Sequence, residues 1–236
     1  CIRDRSDSLE FDLGKVDILR ASIIFDLDGT LIDSAKDIQW VANKALSEIG
    51  VTPISYQEAI SFIGEGAPLF VKKMIKARSI DSSKHDFLLE QFLKFYEGAT
   101  QFSKPYDDVV TVLEILSSSH DLGICTNKPL KPALKILKHL KLEHFFKCVT
   151  GGDNEFGRKP DPRPLLSTSS SVGDGICIYV GDSEVDAETA KRADVPFLLF
   201  SEGYRKTPVD QIPHTYQFSS FDKLPELIDK VLESSI

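Results

Sequence analysis

The stretch Ala21-Ser22-Ile23-Ile24-Phe25-Asp26-Leu27-Asp28-Gly29-Thr30 joins a largely apolar run to two acidic residues and a turn-forming Asp-Gly pair. The run up to Asp26 is continuous rather than alternating in polarity, which is typical of a strand whose sheet is covered on both faces. Side chains two residues apart at the end of a strand project to the same side. The stretch therefore predicts a buried strand that ends in two neighbouring carboxyl groups, Asp26 and Asp28.

Further strand-like runs follow along the chain, and helical patterns separate them. The predicted strands are Leu122–Thr126, Lys147–Thr150, Ile176–Val180 and Val195–Phe200. The predicted helices are Val109–Ser117, Pro132–Leu140 and Ala187–Ala193, whereas the serine-rich patch Ser167–Ser171 is predicted to be a loop or a poor helix. Repeated strand–helix units form a parallel sheet with helices on its faces, so the predicted fold class is α/β.

A segment without strand signal, from Ser34 to Ser103, separates the first two predicted strands. Apolar residues recur in it at helical spacing, for example from Ile38 to Ile49 before a stop at Gly50. A connection this long exceeds a normal crossover, so it predicts a small helical domain inserted after the first strand. The predicted division is a terminal extension (1–20), a core domain (21–33 and 104–236) and the inserted helical domain (34–103).

The composition excludes some classes of partner. A formal net charge of −8 and a sequence pI near 5.2 argue against a surface built to bind nucleic acid or an anionic membrane. The longest apolar runs are strand-sized and far shorter than a bilayer span, so no membrane partner is expected. The first twenty residues lack the apolar core of a secretory signal, and the cysteine spacings match no zinc motif. A reducing cytoplasm is the predicted compartment, and the oligomeric state stays unknown.

Polar residues follow four of the five predicted strands, at the edge of the sheet where ligands bind in this fold class. They are Asp26 to Thr30, Thr126 to Lys128, Gly157 to Pro160, and Gly181 to Asp186. Each group alone has an ordinary explanation as a turn, a helix cap or a loop. Together, however, they bring the carboxylates of Asp26, Asp28, Asp182 and Asp186 to one edge. These charges would repel one another unless a divalent cation and a lysine lay among them.

In order and placement, these motifs resemble those of the haloacid dehalogenase superfamily. The residues that carry the resemblance are the DxDGT pattern at 26–30, Thr126 after the second strand, Lys159 after the third, and the GDxxxD pattern at 181–186. The resemblance extends from Ala21 to the end of the chain. It implies a Rossmann-like parallel sheet with strand order 5-4-1-2-3, and it identifies the inserted helical domain with the C1 cap of that superfamily.

The resemblance also implies a role for each motif residue. Asp26 would attack phosphorus to form an aspartyl-phosphate, and Asp28 would protonate the leaving oxygen and later activate water. Like-charge neighbours are expected to raise the pKa of Asp28. Thr126 and the Asn127 amide would hold phosphoryl oxygens while Lys159 offsets their charge. The implied cofactor is Mg²⁺, ligated by Asp26, Asp182 and the Asp28 backbone carbonyl and oriented by Asp186.

Substrate choice is predicted from the insertion. The stretch from Phe62 to Pro68 resembles the cap loop of phosphoglycolate phosphatases, so Gly64, Glu65 and Gly66 are candidate substrate contacts, although an ordinary loop before an amphipathic helix would have the same pattern. The substrate carboxylate is expected to meet helix-start amides near Pro68, or Lys72 and Lys73. The resulting prediction is a Mg²⁺-dependent phosphatase of a small phosphorylated metabolite, 2-phosphoglycolate.

Several alternatives stay open at this point. A nucleotidase, a pyrophosphatase or a sugar-phosphate phosphatase would carry the same motifs, and a catalytically silent phosphate-binding protein could share the fold. Dehalogenases of the superfamily lack the second aspartate of the first motif, so Asp28 favours phosphate-ester chemistry. A receiver domain also phosphorylates an aspartate, but it lacks both the paired aspartates and a large insertion.

Overall fold

The computed structural model describes residues 20–234, so the predicted extension at 1–20 lies almost wholly outside the described residues. The strands are β1 (Ala21–Phe25), β2 (Ile32–Asp33), β3 (Lys104–Pro105), β4 (Asp121–Cys125), β5 (Cys148–Thr150), β6 (Ile176–Gly181), β7 (Phe197–Phe200) and β8 (Tyr216–Phe218). The helices are α1 (Ala35–Ser47), α2 (Tyr56–Phe62), α3 (Ala67–Ala77), α4 (His85–Tyr96), α5 (Val109–Ser119), α6 (Leu130–His139), α7 (Arg163–Val172), α8 (Glu184–Ala193) and α9 (Leu224–Glu233). Within these residues, none of the helices has both the length and the apolar character needed to cross a bilayer.

The main sheet has the order β5-β4-β1-β6-β7-β8, and all its neighbouring strands are parallel. This confirms the α/β class and the predicted order of the five strands. Strand β8 was not predicted, because three residues are too few to show a period. It extends the edge of the sheet beside β7.

Alternate residues of β1 enter two different cores. Ile23 and Phe25 are fully buried among residues of α5, α6 and α9, whereas Ile24 is fully buried on the opposite face against α7 and α8. Burying such side chains contributes roughly 1.5–3 kcal/mol each, so both faces stabilise the strand. This double burial is the physical reason why the run before Asp26 contains no charged residue.

The serine-rich patch Ser167–Ser171, for which the sequence predicted a loop or a poor helix, lies within the regular helix α7. Its serine side chains are satisfied by the helix itself: Ser170 Oγ donates to the Leu166 carbonyl (3.0 Å) and Ser171 Oγ to the Ser167 carbonyl (2.8 Å). Leu165 and other residues on the inner face of α7 are buried against the sheet. Tertiary burial therefore outweighs the modest helix propensity of serine.

Helices α1 to α4 lie between β2 and β3 and share a hydrophobic cluster of their own, which includes Leu46, Met74, Leu88 and Phe92. Strands β2 and β3 pair antiparallel at the two ends of this helical insertion, which we define as residues 34–103. The chain thus leaves and re-enters the sheet region at adjacent positions. The division of the chain into core and cap domains stays a prediction.

A buried carboxylate joins the two ends of the helical insertion. Asp37 of α1 is only 2% exposed. Its oxygens accept hydrogen bonds from the backbone amides of Gln101 (3.1 Å), Phe102 (3.1 Å) and Ser103 (2.8 Å) and from Ser103 Oγ (2.5 Å). Segment 101–103 is thereby tied to α1, so the returning chain is held by the insertion itself.

We expect Asp37→Ala to lower the free energy of unfolding by about 2–4 kcal/mol, because several buried donors would lose their charged acceptor at once. Asp86→Ala is the matched control, since the Asp86 side chain is exposed on α4 of the same insertion. Urea unfolding of both variants measures the difference. Equal stability of the two variants would contradict the structural role of Asp37.

Candidate active site

Asp26 lies at the carboxyl end of β1, buried between neighbouring strands. Its backbone amide donates to the Val180 carbonyl of β6 (2.9 Å), and its Oδ1 lies 2.8 Å from Lys159 Nζ. Burial raises the pKa of Asp26 to about 6, while Lys159 opposes the rise and the Asp186 carboxylate adds to it. Lys159 therefore limits the rise in the pKa of Asp26, so this buried candidate nucleophile can still ionise near neutral pH.

Lys159 is shared by two carboxylates. Its Nζ also lies 2.6 Å from Asp186 Oδ1, which accepts a further hydrogen bond from the Tyr179 hydroxyl (2.7 Å). Burial alone would lower the pKa of Lys159, but Asp186 and Asp26 raise it above its ordinary value. For Asp186, burial acts to raise the pKa, but Lys159 and the hydrogen-bond donors lower it overall. Both groups therefore stay charged, and Asp186 holds Lys159 against Asp26.

Asp182 lies at the end of β6 and is anchored from two sides. Its Oδ1 accepts from Thr30 Oγ1 (2.9 Å) and its Oδ2 from the Tyr204 backbone amide (2.6 Å). A side chain at Gly29, where φ is +92°, would place its Cβ 2.6 Å from Asp182 Oδ2. Glycine is therefore required at this turn by both backbone conformation and space.

The carboxylates of Asp26, Asp182 and Asp186 offer oxygen atoms that all lie within 4.8 Å of one another. Burial, followed by the charges of Asp186 and Asp26, raises the pKa of Asp182 well above its ordinary value, so ionisation of this third carboxyl group is unfavourable unless a cation beyond Lys159 is present. Oxygen donors with excess negative charge fit a hard divalent cation. Each Asp186 oxygen accepts at least two protein donors, whereas the Asp182 oxygens accept one each from Thr30 and Tyr204, so Asp26 and Asp182 are the better candidate side-chain ligands.

Asp28 has a lysine beside it that the sequence analysis did not assign. Lys128 Nζ lies 3.0 Å from Asp28 Oδ1 and 2.7 Å from the Tyr96 hydroxyl. Ser34 Oγ also donates to Asp28 Oδ1 (2.6 Å). A cation therefore lies next to Asp28, whereas the sequence led us to expect only like-charged neighbours there.

Thr126 and Asn127 lie together after β4, as predicted for the phosphate site. Thr126 Oγ1 accepts from the Lys128 amide (3.2 Å). The Asn127 side chain makes bonds that were not predicted: its Oδ1 accepts from the Lys159 amide (2.9 Å), and its Nδ2 donates to the Gly64 carbonyl (2.9 Å). Asn127 therefore connects Lys159 to the loop of the helical insertion.

The three predicted loop residues of the insertion are not equivalent. Gly64 and Gly66 line a cavity together with Asp26 and Asp28, whereas the Glu65 carboxylate is paired with Lys73 and is not among the lining residues. The cavity has a volume of ≈ 40 Å³, and its apolar walls come from Ile38, Phe62, Phe70 and Phe92. This compact space lies between the helical insertion and the strand ends.

Tyr204 joins the acidic cluster to the start of the insertion. Its hydroxyl accepts from the backbone amides of Ser34 (2.7 Å) and Ala35 (2.9 Å) and donates to Asp33 Oδ1 (2.7 Å). Its own amide donates to Asp182, as described above. The sequence analysis noted Gly203-Tyr204 only as part of a resemblance, because no local pattern shows where a distant hydroxyl will bond.

Comparisons with known proteins agree with this geometry. The haloacid dehalogenase-like hydrolase family matches residues 23–200. Phosphoglycolate phosphatase from Cereibacter sphaeroides is 40% identical over 214 residues, which are 89% of this chain and 98% of the relative. The enzyme of the same name from Aquifex aeolicus is 36% identical over 211 residues, covering 88% of this chain and 96% of the relative.

Among solved structures, the crystal structure of a predicted phosphoglycolate phosphatase from Haemophilus somnus is similar, with a TM-score of 0.82 and 26% sequence identity. The similarity covers 91% of this chain and 100% of that chain. The family match spans most of the sheet and the whole helical insertion. This chain therefore belongs to the haloacid dehalogenase-like hydrolase family.

Proposed function

We propose that this chain is a Mg²⁺-dependent phosphatase that hydrolyses small phosphate monoesters through an aspartyl-phosphate at Asp26, with 2-phosphoglycolate as its preferred substrate. The observation that carries the proposal is the buried Asp26 carboxylate, 2.8 Å from Lys159 and at the wall of a small cavity that Asp28 also lines. Full-length similarity to two enzymes named phosphoglycolate phosphatase supports the choice of substrate.

In the first step, an Asp26 carboxylate oxygen attacks phosphorus and the bond to the ester oxygen breaks. Lys159 offsets the negative charge that the phosphoryl group brings beside Asp26. Thr126 Oγ1 and the Asn127 backbone amide bind phosphoryl oxygens, which aligns the group for in-line transfer. Because the pKa of Asp26 is about 6, most of the nucleophile is ionised at neutral pH.

Asp28 transfers protons in both steps. It gives a proton to the departing ester oxygen and then takes one from the water that hydrolyses the aspartyl-phosphate. Ser34 and Lys128 fix the position of its carboxyl group. A group with fixed geometry beside the nucleophile can thus serve as acid and base in turn.

Asp26, Asp182 and the Asp28 backbone carbonyl would hold Mg²⁺, and Asp186 keeps the charged surroundings in place through Lys159. When bound, the ion supplies positive charge that offsets the phosphoryl oxygens and the crowded carboxylates. The raised pKa of Asp182 is the feature of the protein that fits this role.

The size of the cavity favours a small substrate over larger ones such as nucleotides. At ≈ 40 Å³ it is far below the ~300–1,000 Å³ of pockets that take drug-sized ligands. A nucleotide would need a larger displacement of the helical insertion than a two-carbon acid would. We also propose a cytoplasmic location, as the sequence predicts.

The test is a panel of phosphate esters with Mg²⁺ present. We expect kcat/KM for 2-phosphoglycolate to exceed that for nucleoside monophosphates, sugar phosphates and pyrophosphate by at least about 10-fold. A higher value for any of these would overturn the substrate while leaving the phosphatase. No hydrolysis of any ester would instead support a silent phosphate-binding protein.

A further inference from the structure

Lys128 is a buried cation that the proposed mechanism uses only to position the Asp28 carboxyl group. The residue is 6% exposed, and its Nζ contacts Asp28 Oδ1 (3.0 Å) and the Tyr96 hydroxyl (2.7 Å). An ammonium group has three N–H donors, and these two contacts engage two of them. The contact with Asp28 Oδ2 is longer, at 3.3 Å, so an anionic ligand could replace it while the two shorter contacts stay in place.

Lys128 is also the only cationic side chain on the cavity wall in the described part of the chain. The other charged residues on that wall are Asp26 and Asp28, and the remaining surface is mostly apolar. A second anionic group on a substrate has no other cation to meet there. Without such a cation, burying a carboxylate in this cavity would be strongly unfavourable.

The position of Lys128 beside Asp28 defines how far that second anion lies from the ester bond. Asp28 is the group that protonates the ester oxygen in the proposed mechanism. In a 2-phosphate of a short hydroxy acid, the carboxylate oxygen lies on the order of 3 Å from the ester oxygen. A cation that touches Asp28 is therefore correctly placed for a carboxylate that is bonded directly to the ester carbon.

From this geometry we infer that Lys128 binds the substrate carboxylate, and so makes the chain selective for phosphate esters with a carboxylate next to the ester carbon. The inference rests on the proposed function. Tyr96, which α4 contributes, holds the ammonium group from the insertion side, so recognition needs both parts of the fold. A charge-assisted hydrogen bond from an ammonium group to a carboxylate is shorter and stronger than a hydrogen bond between neutral groups.

The cations expected from the sequence do not lie where this role requires them. Lys73 is paired with Glu65, and Lys72 is exposed on α3. Lys206, which approaches from the core, donates instead to the Ile63 carbonyl (2.9 Å). None of the three is among the lining residues of this cavity, although Lys206 lines an adjoining one that also includes Asp26 and Asp28.

The experiment compares 2-phosphoglycolate with 2-hydroxyethyl phosphate, which replaces the carboxylate by a neutral alcohol of similar size. In the wild type we expect a clear preference for the acid. In Lys128→Met, the ratio of the two kcat/KM values should fall by about 10- to 100-fold, because a charge-assisted hydrogen bond to the carboxylate is lost. Lys135→Met, at an exposed site on α6, is the matched control and should keep the wild-type ratio. Using a ratio cancels any common effect on Asp28.

A second measurement needs no variant at position 128. The wild type is assayed with phosphate esters whose carboxylate lies one, two or three carbons from the ester carbon, and the preference should fall as this distance grows. An unchanged ratio in folded Lys128→Met, or equal rates along the series, would overturn the inference while the phosphatase proposal survives. Hydrolysis of none of these esters would overturn both.

Discussion

Replacing Asp26 by asparagine is expected to lower kcat by at least about 10⁴-fold, because an amide cannot act as the carboxylate nucleophile. The fold should survive the change. Lys159 keeps Asp186 as a partner at 2.6 Å, and the backbone bond from Asp26 to Val180 does not involve the side chain. Steady-state hydrolysis of 2-phosphoglycolate, together with the circular dichroism spectrum, measures both expectations.

The matched control is Asp107→Asn, since Asp107 is exposed and is not a lining residue of the cavity. It should retain wild-type kcat. Mass spectrometry must show that the asparagine at position 26 has not hydrolysed back to aspartate. Wild-type turnover in an intact Asp26→Asn sample would eliminate the aspartyl-phosphate mechanism.

Removing divalent cations should also lower turnover strongly. We expect an excess of chelator to reduce turnover by at least about 100-fold, because the phosphoryl group would meet several buried carboxylates with too little positive charge. Added Mg²⁺ should restore the rate. Ca²⁺ should inhibit, since its larger and looser coordination suits in-line phosphoryl transfer poorly.

Asp182 is expected to contribute to this metal requirement as a ligand. Asp182→Asn should raise the Mg²⁺ concentration for half-maximal activity by about 10- to 100-fold. It should also reduce the upward shift of Tm that Mg²⁺ gives the wild type, because a ligand that binds the native state stabilises it. The exposed variant Asp107→Asn again serves as the control. Undiminished activity in excess chelator, or an unchanged Tm shift in Asp182→Asn, would contradict the assignment.

The loop that carries Gly203 and Tyr204 links the acidic cluster to the start of the helical insertion. The Tyr204 amide orients Asp182, and its hydroxyl binds the first amides of α1. If the helical insertion moves about β2, the hydrogen bonds from the α1 amides to the Tyr204 hydroxyl must either move with it or break. Because Tyr204 also holds Asp182, such a movement would be felt at a proposed metal ligand. The acidic cluster and the start of the insertion share one anchor.

The sequence could predict those parts of the site that depend on strand ends. A parallel sheet places the carboxyl ends of its strands at one edge, so Asp26, Thr126 and Asp182 had to lie close together once the strands were recognised. Asp26, Thr126 and Asp182 are near one another because the backbone order requires it, whatever the details of side-chain packing. Lys159 lies farther from the end of β5, in the loop that follows it, and it was assigned through the family resemblance.

The sequence could not predict contacts between the sheet and the helical insertion. Tyr96 occurs in an apolar helical pattern that predicts only burial, yet its hydroxyl meets Lys128 from the other side of the cavity. Glu65 stands in the predicted substrate loop, but its charge is satisfied by Lys73 instead. Such outcomes depend on how the sheet and the helical insertion pack together.

By itself, then, the sequence determined the α/β sheet, the helical insertion after β1 and the grouping of carboxylates at the strand ends, because apolar periodicity and strand direction are local properties of the chain. Only the tertiary structure decided which cation lies beside Asp28, which loop residues line the cavity, and that α7 forms through a run of serines. These features depend on burial and charge pairing between residues far apart in sequence, and no local pattern encodes them.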